Sequence, residues 1–110
     1  LFLALFRDHP DFLIQKDIDN SSWFGFSLII KPGSSLNRKA VIQKLQENEI
    51  ECRPIVTGNF TRNDVMKYFN YEVHGEMTNS EYIDSNGLFV GNSHVDLSAE
   101  VSFLRNLIPR

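Results

Sequence analysis

Residues 23–31, WFGFSLIIK, limit what this chain can become more than any other stretch. Aromatic and β-branched side chains crowd this run, and such residues suit a pleated, half-buried surface. A polar turn over residues 17–22 leads into it, and Pro32-Gly33-Ser34-Ser35 closes it. No run in the chain reaches the roughly 18 apolar residues that a bilayer span needs. The stretch is therefore expected as a strand in a sheet, and the rest of the chain must supply its partners.

Three further runs offer them. Residues 12–15 and 88–90 are short apolar strands, and residues 50–56 (IECRPIV) are a stronger one. Helices are expected between them. Residues 1–7 carry apolar side chains at nearly every position and stop at His9-Pro10. The residue before a proline avoids helix. Asn37 reads as an N-cap, with Leu36 and Val41 as a hydrophobic staple, for a helix running to about Asn48. Thr61 reads as the next cap, with Asp64 inside and a Phe60/Val65 staple. Thr78 reads as another, with Glu81 inside, a Met77/Tyr82 staple and Gly87 as the stop. Ser98 opens a last helix with Val101, Leu104, Leu107 and Ile108 on one stripe. The order α-β-β-α-β-α-α-β-α implies an α+β fold, a small antiparallel or mixed sheet with helices packed on it.

At 110 residues, one domain over residues 1–110 is expected. Size scaling gives a folded surface of roughly 6,000 Å². The composition is 42% hydrophobic and 23% charged. Such a balance is globular and not disordered. One cysteine excludes a disulfide scaffold and fits a reducing compartment. A net charge of −3 lacks the basic footprint of nucleic-acid binding. The apolar start has no Met, basic region or cleavage site, so it reads as the cut end of a helix and not as a signal peptide.

Chemistry concentrates in residues 50–56. Period-two alternation puts Ile50, Cys52, Pro54 and Val56 on one face and Glu51, Arg53 and Ile55 on the other. An acid and a guanidinium thus project together. They are either a surface ion pair or a polar clamp, Arg for a carboxylate or phosphate and Glu for hydroxyls. Pro54 marks an edge or a bulge. Gly58 allows a turn closed to other residues, and with Asn59 it lies where a strand meets a helix start, a place that can receive an anion. His74 lies in a polar loop. Cys52, on the inward face without a nearby histidine, reads as a small core residue and not as a nucleophile. His9, His74 and His94 lack metal-ligand spacing, so no metal is expected. No nucleophile elbow, Walker loop or dinucleotide fingerprint occurs. Residue by residue, the chain holds no complete catalytic set.

Phe12-Leu13-Ile14, Ser22-Trp23-Phe24-Gly25-Phe26 and Arg53-Pro54-Ile55-Val56-Thr57-Gly58-Asn59-Phe60 resemble the C-terminal region of vitamin B6-dependent sugar aminotransferases and dehydratases of the DegT/DnrJ type. His74-Gly75-Glu76, Thr78-Asn79-Ser80 and residues 86–92 (NGLFVGN) extend the likeness toward the sugar 3-dehydratase branch. The resemblance implies the small C-terminal domain of an aspartate aminotransferase-like enzyme, with residues 1–8 as the end of an incoming helix. It implies a cytoplasmic bacterial homodimer that uses pyridoxal or pyridoxamine 5′-phosphate. The substrates would be a GDP-linked 4-keto-6-deoxy sugar and glutamate, in deoxysugar synthesis for lipopolysaccharide O-antigen. A histidine would replace the usual cofactor lysine, upstream of this chain, so the fragment alone would carry no catalytic residue, bind no cofactor and be inactive. Glu51, Arg53, Gly58, Asn59 and His74 match positions approaching the cofactor and substrate. A sugar aminotransferase of the same family and a stand-alone α+β binding module remain open. A bare apolar patch of Leu1, Phe2, Leu3, Leu5 and Phe6 with residues 23–26 is expected to drive self-association.

Overall fold

Strand β2 (Gly25–Ile30) lies inside a four-stranded sheet in this computed structural model, which describes residues 1–108. It pairs with β1 (Phe12–Leu13) on one side and β4 (Gly87–Gly91) on the other, and β4 then pairs with β3 (Cys52–Pro54) at the edge. Every pairing is antiparallel, so of the two sheet types expected the antiparallel one forms. The connecting helices are α1 (Phe2–Phe6), α2 (Arg38–Glu47), α3 (Thr78–Asn86) and α4 (Ser98–Leu107). Two short 3₁₀ turns, Phe60–Arg62 and Asp64–Tyr68, stand where the sequence leads one to expect a further helix.

Register decides which residues share a face. Phe12 lies opposite Ile30, Leu28 opposite Leu88, and Val90 opposite both Phe26 and Cys52. These side chains meet α1, α2 and α4 to form the core, in which Phe6, Phe12, Leu28, Leu45 and Leu88 are fully buried. The stripe expected on α4 is inward: Val101, Leu104 and Ile108 are buried, and Leu107 packs against them.

The expected apolar patch forms only in part: Leu1 and Phe24 are exposed, and Leu3 and Leu5 are half-buried. Phe2 and Phe6 are buried in the protein's own core, and Phe2 stacks on Phe26 with ring centroids 4.4 Å apart. His9 fixes this arrangement. Its ring is buried between Phe6 and Phe12. Nδ1 accepts from the Asp11 amide at 3.1 Å, which leaves Nε2 to donate to the Ile108 carbonyl at 3.1 Å. Arg105 Nε also donates to the Leu5 carbonyl at 3.1 Å. Both ends of the described chain are thereby tied together beside the sheet.

The caps correct the sequence reading in part. Asn37 caps α2 as expected, its side chain accepting from the Lys39 and Ala40 amides. Thr61 is not a cap: Asn59 caps the first 3₁₀ turn and Asn63 the second. Thr78 and Ser98 lie inside their helices, and Asp96 takes the capping role before α4 by accepting from the Ser98 amide and hydroxyl. Asparagine and aspartate serve as well as threonine or serine here, so two candidates within a few residues compete. The edge strand is shorter than residues 50–56 because Pro54 has no amide to extend the ladder.

Helix α2 ends with the Ile50 amide donating to the Leu45 carbonyl and the Glu49 amide to that of Gln46, a Schellman closure. Its left-handed position, at φ 59°, is held by Glu49. Glycine is the usual occupant of such a position. Glu49→Gly is expected to raise stability by about 1 kcal/mol in urea unfolding, since left-handed geometry strains a side chain by about that much. A lower midpoint would show that the Glu49 side chain contributes more than the strain removes.

Candidate functional site on the open face of the sheet

The sheet has a second face. Leu13, Ser27, Ile29, Arg53 and Phe89 point to it in register. Helix α3 covers one end, where Tyr82 donates its hydroxyl proton to the Ile30 carbonyl at 2.6 Å. Gly87 is required there, because a Cβ would stand 2.6 Å from the Ile83 carbonyl oxygen and 2.7 Å from Ile55 Cγ1. The other end is open.

At that open end, Arg53 Nη2 and Nε donate to Glu51 Oε1 at 2.7 and 3.0 Å. Period two thus brings the pair to one face, as the sequence implied. The two side chains are 69% and 76% exposed. A pair so open to water contributes only about 0–1 kcal/mol. Its value to the fold is small, and the two groups are free to meet a ligand. Together with Phe24, Phe89, Gly91 and Asn92 they line a hollow of about 280 Å³. A second hollow continues past Phe24 and Phe89 toward Ser27, Ile55 and Thr57.

Phe24 is the residue sequence reasoning missed. The sequence reading puts it in one strand with Trp23 and in a bare apolar patch, and gives it no place in the site. Trp23 instead takes a left-handed backbone, φ 48°, and ends the strand before Gly25. Its ring turns to Phe2 and Phe26, while Phe24 projects to the open face at 86% exposure, its centroid 5.9 Å from that of Phe89. Gly25 was the available signal: a Cβ there would meet Phe89 Cδ2 at 2.7 Å and the Val90 carbonyl oxygen at 2.9 Å.

The other sequence candidates divide differently. Gly58 is needed, though not for a left-handed turn: a Cβ would lie 2.6 Å from Asp84 Cα, so the glycine lets the loop press onto α3. Asn59 is 5% exposed and bound internally. It donates to Glu81 Oε1 at 2.7 Å and accepts from the Thr61 amide and hydroxyl, so it shapes the loop and does not reach outward. His74 is exposed in the loop before α3 and lines neither hollow with Glu51 and Arg53. Burial, the largest influence, pushes the Cys52 thiol up, in keeping with a packing role.

Glu81 anchors the loop base. Arg62 Nε and Nη2 donate to its two oxygens at 2.7 and 2.6 Å, and this bond holds its carboxyl below the ordinary value. A carboxyl depressed in the folded state stabilises above its unfolded pKa and stops doing so as pH falls through the lower folded one. Acidification below the usual carboxylate range is therefore expected to loosen the loop over residues 59–68, read as faster amide exchange there. Glu81→Gln should already show the loosened rates at neutral pH and change little on acidification. Equal acid sensitivity in both proteins would detach the loop from this bond.

One face of the sheet is thus packed on helices, and the other is left as a polar and aromatic platform. No family model matches the chain. It is 52% identical over 108 residues to GDP-4-keto-6-deoxy-D-mannose 3-dehydratase of Escherichia coli O55:H7 and 50% identical over 111 to that of Yersinia pseudotuberculosis, matching 97% and 100% of this chain and 28% of each enzyme. A 70-residue portion is 34% identical to the lipopolysaccharide biosynthesis protein RfbH of Salmonella typhimurium, over 64% of this chain and 16% of that protein. The solved E. coli enzyme with bound hydrated pyridoxal phosphate superposes with a TM-score of 0.94 at 51% identity, over 98% of this chain and 28% of that one. A variant of this type of enzyme with bound GDP-perosamine gives 0.93 at 52%, over 96% and 28%. The chain spans just over a quarter of the length of these relatives. At about 50% identity along nearly its whole length, the chain is homologous to one part of the GDP-4-keto-6-deoxy-D-mannose 3-dehydratases.

Among the described residues lining the two hollows of the open face, Arg53 is the only cation and Glu51 already engages it, while no lysine is present. No helix among the described residues is long and apolar enough to cross a membrane.

Proposed function

We propose that this chain is the small C-terminal domain of a pyridoxal phosphate-dependent GDP-sugar 3-dehydratase, which removes the 3-hydroxyl of a 4-keto-6-deoxy sugar with glutamate as amino donor. The observation carrying this reading is identity of 50% or more along nearly the whole chain together with near-superposition on such enzymes. Two physical features support it. The exposed surface is 8101 Å². A compact chain of this mass exposes roughly 6,000 Å². The radius of gyration is 15.3 Å. A compact domain of this length has about 13 Å. Such a shape suits a piece that buries much of itself against a large domain and a partner subunit. Residues 1–8 would be the end of the helix entering it.

In this reading Arg53 holds the carboxylate of glutamate or 2-oxoglutarate, or a sugar-nucleotide phosphate, and Glu51 accepts from a sugar hydroxyl. The large domain supplies the cofactor's anchor and the proton-transfer base, and the enzyme works in the bacterial cytoplasm toward O-antigen deoxysugars. Gly58 and Asn59 shape the rim from behind, and His74 joins only if the loop carrying it closes. The test is product analysis of the full-length enzyme given pyridoxal phosphate, glutamate and the GDP-linked 4-keto-6-deoxy sugar. A 3-deoxy sugar is expected. A stable amino sugar with its 3-hydroxyl intact would assign the chain to the aminotransferases instead. No turnover and no cofactor binding would favour a separate binding module.

A further inference from the structure

The open face carries an aromatic ring for which the proposed chemistry gives no role, set there by a strained backbone. Trp23 has φ 48°. That geometry is costly for a bulky L-residue and persists only where its surroundings enforce it. Here the Asn92 side-chain amide donates to the Trp23 carbonyl at 2.7 Å and to that of Ser22 at 3.4 Å. Asn92 is itself aimed by the Ser93 amide, which donates to its Oδ1 at 2.9 Å. The Trp23 ring is kept inward by Phe2 and Phe26, at centroid distances of 6.2 and 6.3 Å. The net effect is to invert the alternation and turn the next side chain, Phe24, out onto the open face beside the Glu51–Arg53 pair.

We infer that Phe24 is a specificity-determining contact for the base of the nucleotide sugar, and that Asn92 is a positioning residue acting through it. The phenyl ring is 86% exposed and braced by Phe89. It offers a flat face on which a planar base stacks. The adjacent Arg53 guanidinium lies within the same hollow, placed to meet a phosphate joined to that base. Hydrocarbon left so exposed in a backbone this constrained contributes nothing to the core, which fits a contact made with a ligand. The inference rests on the proposed function, since it takes a nucleotide sugar as the ligand.

The probe is GDP, measured by calorimetry on the full-length enzyme. Phe24→Ala is expected to weaken GDP roughly 5- to 100-fold, the range of one lost stacking contact. Phe24→Tyr, which keeps the ring, should restore most of the affinity. Asn92→Asp, nearly isosteric but unable to donate, should weaken GDP in the same direction, and the loss in sugar turnover should fall on KM more than on kcat. In the double variant Phe24→Ala/Asn92→Asp the losses should not add, because both act on one ring. GDP affinity unaltered by Phe24→Ala, with the effect confined to the intact GDP-sugar, would overturn the assignment to the base. Additive losses would overturn the role of Asn92. If the parent enzyme fails to bind GDP at all, the proposed function fails; if it binds GDP and Phe24→Ala binds equally, this inference alone fails.

Discussion

Arg53→Ala in the full-length enzyme is expected to lower kcat/KM for glutamate by roughly 10- to 100-fold, the loss of one charge-assisted contact to a carboxylate. The fold should survive. Arg53 is mostly exposed, on an edge strand. Its bond to Glu51 adds about 0–1 kcal/mol at most, so the unfolding midpoint should barely shift. That separation of activity from stability makes the prediction informative. A merely structural surface pair would leave both nearly unchanged. Arg53→Lys keeps the charge and loses the forked geometry, and should recover only part of the activity. Steady-state kinetics with glutamate varied, next to urea unfolding of the same samples, measure both. Unchanged kinetics would remove the pair from the site and leave it as surface decoration.

His9→Ala is expected to have the largest effect on folding, a loss of about 3 kcal/mol. The ring is 1% exposed, stands between two buried phenylalanines and bonds at both nitrogens. Truncation leaves a cavity beside Phe6 and Phe12 and strips the Asp11 amide of its partner. The Ile108 carbonyl then keeps only the longer bond from Arg105, at 3.4 Å. Against a typical total of about 5–15 kcal/mol this is a large share. His9→Phe fills the space without the bonds and should fall between, at about 1–2 kcal/mol. Thermal or urea unfolding decides. If His9→Ala melts with the parent, the ring is not what holds α1 to the end of α4.

The element order is readable because its signals are local. Asn37 before an amphipathic stretch, Pro32-Gly33 after an apolar one, and the alternation of Glu51, Cys52 and Arg53 each depend on neighbours within a few residues, and each holds in three dimensions. The misreadings share a different cause. Whether Thr61 or Asn59 caps a turn depends on Glu81, 22 residues beyond Asn59, taking its side-chain amide. Whether α1 is a bare surface depends on His9 finding the Ile108 carbonyl 99 residues away. Gly58 lies in a turn, but not in a backbone closed to other residues; the need for glycine comes from α3, where Asp84 fills the space a Cβ would need. Phe24 stays hidden because a left-handed tryptophan reverses the parity on which strand reading rests, and only Asn92, 69 residues from Trp23, accounts for it.

The site itself is half legible. Spacing places Glu51 and Arg53 together, and the resemblance says why they matter. Nothing in spacing could separate Asn59, turned inward and saturated with bonds, from Arg53, turned outward, since both belong to one strand and the turn that follows it.

In the proposed enzyme the open face of the sheet is the one turned toward the substrate. Amide hydrogen exchange on the full-length enzyme, with and without the GDP-linked sugar, tests it most directly. Added protection is expected at residues 21–24, 51, 56–58 and 91–93, which border that face, with little change in α2 and α4 behind it. Protection confined to α2 and α4, with the open-face residues unaltered, would contradict it.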